Sequence, residues 1–104
     1  MLIITNGTNI EYTYGDTFEM TVTTEGGFDE GTQLTLVIAQ GEQSEPLVSN
    51  RYDTDPDGGF TVRLSAEDKA KMPIGEYIYK LTVTDADGTV ITHKSGYFTV
   101  KWGA

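Results

Sequence analysis

Apolar residues recur at every second position in four separate stretches of this chain. Phe18, Met20 and Val22 alternate with Thr17, Glu19, Thr21 and Thr23. Phe60, Val62 and Leu64 alternate with Thr61 and Arg63. Tyr77, Tyr79, Leu81 and Val83 alternate with Glu76, Lys80, Thr82 and Thr84, with Ile78 as the exception. Phe98, Val100 and Trp102 alternate with Tyr97, Thr99 and Lys101. A period of two places one set of side chains on each face of an extended strand, so each stretch reads as a strand with one face on a core and one toward water.

The remaining strands are weaker in pattern. Leu34 to Ala39, "LTLVIA", is apolar on both faces. It suits a central strand covered on both sides, or a strand at an interface. A further strand lies around Leu47 to Arg51, and another starts near Thr89 and bends at Ser95-Gly96 before running on to Trp102. Leu2 to Tyr14 holds one or two strands around an Asn6-Gly7 turn. Turn signals separate these runs at short spacing: Tyr14-Gly15-Asp16, Glu25-Gly26-Gly27, Ala39-Gln40-Gly41, Asp55-Pro56-Asp57-Gly58 and Asp85-Ala86-Asp87-Gly88. One helical turn fits after Ser65, which reads as an N-cap followed by Glu67 and Asp68, with Pro73-Ile74-Gly75 ending it.

The pattern predicts an all-β chain: an immunoglobulin-like antiparallel β-sandwich of about seven strands with one short helical turn, a single domain over residues 1–104. A chain of this length buries roughly two-thirds of its unfolded surface, enough for one core. Tyr77, entering its strand after the helical turn, occupies the place of the corner tyrosine of such folds. The chain has no cysteine, so the paired cysteines of antibody domains are missing and thiolate chemistry is excluded.

Seven basic and sixteen acidic residues give a formal charge of −9, which disfavours nucleic acid as a partner. No apolar run is long enough to span a bilayer. The opening segment has neither the basic region nor the apolar region of a signal peptide.

The stretch "DTDPDGG", Asp53 to Gly59, begins like a calcium loop. Asp53, Asp55 and Asp57 stand at alternate positions and Gly58 follows. Leu64 stands where a bidentate glutamate is needed, and both flanks read as strands rather than helices. A turn accounts for every residue: Asp55 first, Pro56 second, Asp57 third, and Gly58 in the left-handed conformation of a hairpin bulge. The turn is therefore the reading taken. Weak calcium binding by Asp53, Asp55 and Asp57 stays open, and Asp85-Ala86-Asp87-Gly88 repeats the spelling.

His93, the sole histidine, sits on a predicted strand between Thr92 and Lys94. Without cysteine it lacks the company of a zinc site. No nucleophile elbow accompanies it. Paired carboxylates of the kind that hydrolyse glycosides are expected by chance among sixteen acids. Asn6-Gly7-Thr8 matches a glycosylation sequon, but Asn-Gly is also a strong hairpin turn. Tyr12, Tyr14 and Trp102 near the termini close the sandwich end or join a contact surface.

Taken in order, "YGDTFEMTV", "DPDGGFTVRLSAEDKAKMPIGEYIYKLTV" and "DADGTVITHKSGYFTV" resemble the immunoglobulin-like domain at the N-terminus of phage baseplate upper proteins and related tail and head-fibre proteins. The resemblance runs from about Thr13 to Val100. It implies a non-enzymatic phage virion structural protein of the tail, baseplate or fibre. Such a protein is located in the virion and assembled in the host cytoplasm. It acts by protein–protein contact with other virion proteins or with copies of itself in a symmetric oligomer. No catalytic, cofactor or metal residues carry over, and neither nucleic acid nor membrane is a partner. Strand edges and Leu34–Ala39 are the expected contact elements. Family members continue into a helical linker and a further domain, whereas this sequence ends at Trp102-Gly103-Ala104. The alternative is a bacterial extracellular immunoglobulin-like adhesin or carbohydrate-binding module. A small hydrolase using His93 or two converging carboxylates is the remote third reading.

Overall fold

The computed structural model describes residues 2–5 and 9–102, with the backbone alone for 2–5 and for His93. Within these residues the chain forms eight strands and one short helix: β1 (Leu2–Thr5), β2 (Asn9–Thr13), β3 (Glu19–Val22), β4 (Gln33–Ala39), β5 (Pro46–Asp53), β6 (Phe60–Arg63), α1 (Ala66–Ala70), β7 (Gly75–Thr84) and β8 (Val90–Lys101). They make a six-stranded sheet in the order β1-β2-β8-β7-β4-β5 and a two-stranded sheet of β3 and β6. This is an immunoglobulin-like β-sandwich.

Every alternating stretch seen in the sequence turns its apolar set inward. Phe18, Met20, Val22, Phe60, Val62 and Leu64 are buried on the small sheet's side. Leu34, Leu36, Ile38, Tyr77, Tyr79, Leu81, Phe98 and Val100 are buried on the large sheet's side. Together they form one apolar cluster between the sheets. Trp102 is the exception: β8 ends at Lys101, and the ring stands 73% exposed beyond the last covered position.

Two expectations need correction. The strands are not all antiparallel, because β2 runs parallel to β8 from Ile10↔Phe98 to Thr13↔Lys101. Only strands joined by a tight turn must be antiparallel, and these two lie at opposite ends of the chain. The irregularity in β8 falls at His93 rather than at Ser95-Gly96: Thr82 pairs with Thr92 but Leu81 pairs with Lys94, leaving one extra residue on β8. The Leu2–Tyr14 stretch holds two strands, within the one or two expected, with β1 outside β2. The Asn6-Gly7 turn and its sequon lie outside the described residues.

The capping and corner expectations hold in atomic detail. The Ser65 hydroxyl accepts from the Asp68 N–H at 3.1 Å and starts α1. The Tyr77 hydroxyl donates to the Pro73 carbonyl at 2.6 Å, tying β7 to the corner before it. Burial of the ring raises the Tyr77 pKa. On the β5 side, polar groups seal the inner face. The Asn50 amide donates to the Asp68 carboxylate at 2.8 Å and to the Tyr52 hydroxyl at 3.3 Å, while Tyr52 donates to the Arg63 carbonyl at 2.7 Å. α1 is thereby fastened to β5 and β6. No helix among the described residues is long and apolar enough to cross a membrane.

Candidate functional site

The carboxylates of "DTDPDGG" are each committed to a protein donor. The Asp53 carboxylate accepts from the Gln33 amide at 3.1 Å, Asp55 from the Thr61 hydroxyl at 2.7 Å, and Asp57 from the Gly59 N–H at 3.1 Å. The Gly58 N–H donates to the Asp55 carbonyl at 2.9 Å, and the Asp55 N–H donates to the Gly59 carbonyl at 2.7 Å. Gly58 has φ of 85°. The turn is therefore present, but it is not a hairpin. β5 pairs with β4 and β6 pairs with β3, so the loop carries the chain from one sheet to the other. A β-turn with a left-handed glycine reverses the chain locally and is indifferent to whether its flanking strands pair.

The second copy of the spelling makes the same bonds. Gly88 N–H reaches the Asp85 carbonyl and Asp85 N–H reaches the Thr89 carbonyl, both at 2.9 Å. Thr89 N–H donates to the Asp87 carboxylate at 2.9 Å. The Thr89 backbone and hydroxyl hold the Asp87 carboxyl below the usual carboxylate range. Here the loop is a hairpin, joining β7 to β8 through Thr84↔Val90. Among the described residues, no group of three or more His, Asp or Glu side chains is placed to share a metal. Titration with calcium to about 1 mM is expected to leave the amide resonances of Asp53, Asp55 and Asp57 in place. A saturating shift confined to those three would restore the calcium reading.

The feature best suited to contact lies elsewhere, on the outer face of the large sheet. Strand register sets Pro46, Ala39, Ile78 and Tyr97 side by side in one row across β5, β4, β7 and β8. The next row holds Val37, Lys80 and Ser95. Val37 and Ile78 are half-buried and Tyr97 is 54% exposed. With Glu42 on the loop after β4, they line an open groove of about 730 Å³. The floor is apolar, the aromatic stands at one wall, and one ammonium and one carboxylate mark the rim.

The sequence contained the signals for this groove. Ile78 breaks the alternation of β7, Val37 and Ala39 make β4 apolar on its second face, and Tyr97 is aromatic at an outward position. What the sequence lacked was the register that aligns them. Leu34–Ala39 is an interior strand, between β7 and the edge strand β5, rather than one covered on both sides: the described residues place no second layer over its outer face.

The remaining candidates scatter. Tyr12 is core: its ring meets Phe18 at 5.6 Å and Phe98 at 6.3 Å, and its hydroxyl donates to the Asp16 carbonyl. Tyr14, 46% exposed, follows β2, and its N–H donates to the Lys101 carbonyl at 2.8 Å. That bond brings Tyr14 and Trp102 to the same end of the sandwich. His93 sits at the irregularity in β8, and its side chain is outside the described residues.

No family model matches the chain, and no curated protein does. Among solved structures it is similar to CopC from Methylosinus trichosporium OB3b, at 15% identity and a TM-score of 0.59, covering 99% of this chain and 94% of CopC. The likeness is one of fold. It corrects the expectation of a phage tail, baseplate or fibre role and of a virion location, because the matching protein is not a virion component. The physical reason is visible in the motifs that carried the resemblance. The Asp-Gly turns, the Ser65 cap and the "GEYIY" corner are each spent on building the sandwich, so they report architecture and not partner.

Proposed function

We propose that this chain is a non-enzymatic binding module that engages a protein partner through the outer face of its six-stranded sheet. The row Pro46–Ala39–Ile78–Tyr97 supports this reading: an apolar strip with an exposed tyrosine, framed by Lys80, Ser95 and Glu42. An apolar centre with an aromatic anchor and a polar rim is the composition of protein interfaces. The groove's lining has Glu42 as its one carboxylate and Lys80 as its one ammonium, which is not the carboxylate pair of a glycoside hydrolase.

A second reading, carbohydrate binding, is favoured by Tyr14 and Trp102, two exposed aromatic rings at one end of the sandwich. Two variants separate the readings. Ile78→Glu puts an unpaired carboxylate in the strip and is expected to weaken a protein partner by about 100-fold. Trp102→Ala is expected to leave that partner unaffected. The partner is captured by a photo-crosslinker at Thr92 and its affinity measured by calorimetry. A glycan-array signal lost in Trp102→Ala and kept in Ile78→Glu would replace the protein reading with the sugar one.

A further inference from the structure

One flank of the sandwich is unfinished. β2 pairs with β8 only from Phe98 to Lys101. β2 begins at Asn9, whose side chain takes the Tyr97 N–H at 3.1 Å. Among the described residues, no strand pairs with Val90–Gly96 on the side away from β7. Strand alternation sends the Ser95 N–H and carbonyl in the same direction as those of Tyr97, toward solvent. The small sheet is open on the same side, since β3 pairs only with β6.

Between these two free edges is an opening of about 110 Å³ into the core, lined by Ile10, Met20, Val22, Leu81 and Lys94. Ile91 pairs with Val83 on the core side of the sheet, yet it is 57% exposed. The opposite, β5 flank is closed by Asn50, Tyr52 and Asp68; among the described residues this one has no such seal.

We infer that this flank, formed by the unpaired half of β8, the free edge of β3 and the Lys94 ammonium, receives an extended segment of a partner protein that alternates aliphatic and acidic side chains. Seven unpaired residues run about 23 Å at 3.3 Å per residue, enough for a strand of ordinary length. Backbone groups of the incoming strand complete the edge, in the manner of β-strand addition. An aliphatic side chain, one the size of valine, enters the opening against Ile10, Met20, Val22 and Leu81.

Charge selects the occupant. Lys94 pairs with Leu81 and so stands on the core side of the edge. Among the described residues its ammonium makes no ion pair or hydrogen bond. Pairing with an uncharged strand would desolvate this ammonium without a partner, and a second copy of the same edge would bring its own Lys94 onto the same flank. A carboxylate on the incoming strand turns the block into an attraction. The two surfaces meet along β8, where Thr92, Ser95 and Gly96 border both, but their apolar contacts differ: Val37, Ala39 and Ile78 on the outer face, Ile10, Met20 and Val22 on the flank.

The test uses the intact chain and two probes: acetylated eight-residue peptides alternating valine with glutamate or valine with lysine. Amide shifts and hydrogen exchange are followed by NMR. The valine–glutamate peptide is expected to shift and protect amides of Val90–Gly96 and Thr21–Thr23, and to bind about tenfold more tightly than the valine–lysine peptide. Lys94→Glu, an exposed substitution, reverses that preference while the spectrum outside the flank stays unchanged. Four results would overturn the inference. They are no shift at millimolar peptide, equal binding of the two peptides, shifts centred on Val37, Ile78 and Tyr97, or concentration-dependent protection of Val90–Gly96 without peptide, which would assign the flank to a second copy.

Discussion

Truncation of Phe98 to alanine is expected to remove about 3–5 kcal/mol of folding free energy, out of the 5–15 kcal/mol typical of a domain. Phe98 is fully buried. It lies on β8 between Tyr77 of β7 and Ile10 of β2. Its ring centroid is 5.6 Å from that of Phe18 and 6.3 Å from that of Tyr12, and those two rings meet edge-on at 5.6 Å. The three rings join β2, β8 and the chain entering β3, so one truncation loosens the contact between both sheets. Neighbours held in two sheets cannot collapse into the space, which places the cost toward the upper end of the range. Urea unfolding followed by far-UV circular dichroism measures it as a fall in midpoint at constant slope. Trp102→Ala, at an exposed position just beyond the same strand, is expected to change stability by about 0.5 kcal/mol or less. If Phe98→Ala cost as little as Trp102→Ala, the three-ring cluster would not be the centre of the core.

The contrast between Phe98 and Trp102 shows what the sequence could and could not convey. Both belong to one alternating run, and alternation alone assigns both to the core. It states which face a residue shares, not how far the facing layer extends. β3 and β6 are four residues each, while β7 has ten and β8 twelve. The ends of the long strands therefore outrun their cover, leaving Ile91 exposed at one end of β8 and Trp102 beyond the other. Local chemistry was legible for the same reason that long-range pairing was not. The Ser65 cap, the Tyr77 corner and both Asp-Gly turns each act within four or five residues. The parallel pairing of β2 with β8, the register that aligns Ala39, Ile78 and Tyr97, and the open flank beside Lys94 depend on residues dozens of positions apart. Nothing in any single stretch encodes them.

The two Asp-Gly loops turn that distinction into a measurement. Gly58 and Gly88 have the same left-handed backbone, with φ of 85° and 91°, in loops closed by the same hydrogen bonds. Alanine at either position pays the left-handed penalty of about 1–2 kcal/mol. Its Cβ is tolerated at both: at Gly58 it comes 3.4 Å from the Gly27 Cα, and at Gly88 it meets nothing within 4 Å. Valine separates them. At Gly88 its methyls enter open space, and the cost exceeds alanine's only by the stiffness of a branched side chain. At Gly58 they meet the backbone of Gly27 and Phe28, where the Phe28 N–H donates to the Gly58 carbonyl at 2.7 Å and the Phe28 and Phe60 rings lie 4.9 Å apart. Overpacking of that kind adds about 1–3 kcal/mol. The expected result is an equal loss for the alanine pair and a larger loss for Gly58→Val than for Gly88→Val, read from thermal midpoints of all four variants. Equal losses for the valine pair would mean that the crossover loop does not dock on the loop from β3. The glycine at Gly58 would then be required by its turn alone, as the one at Gly88 is.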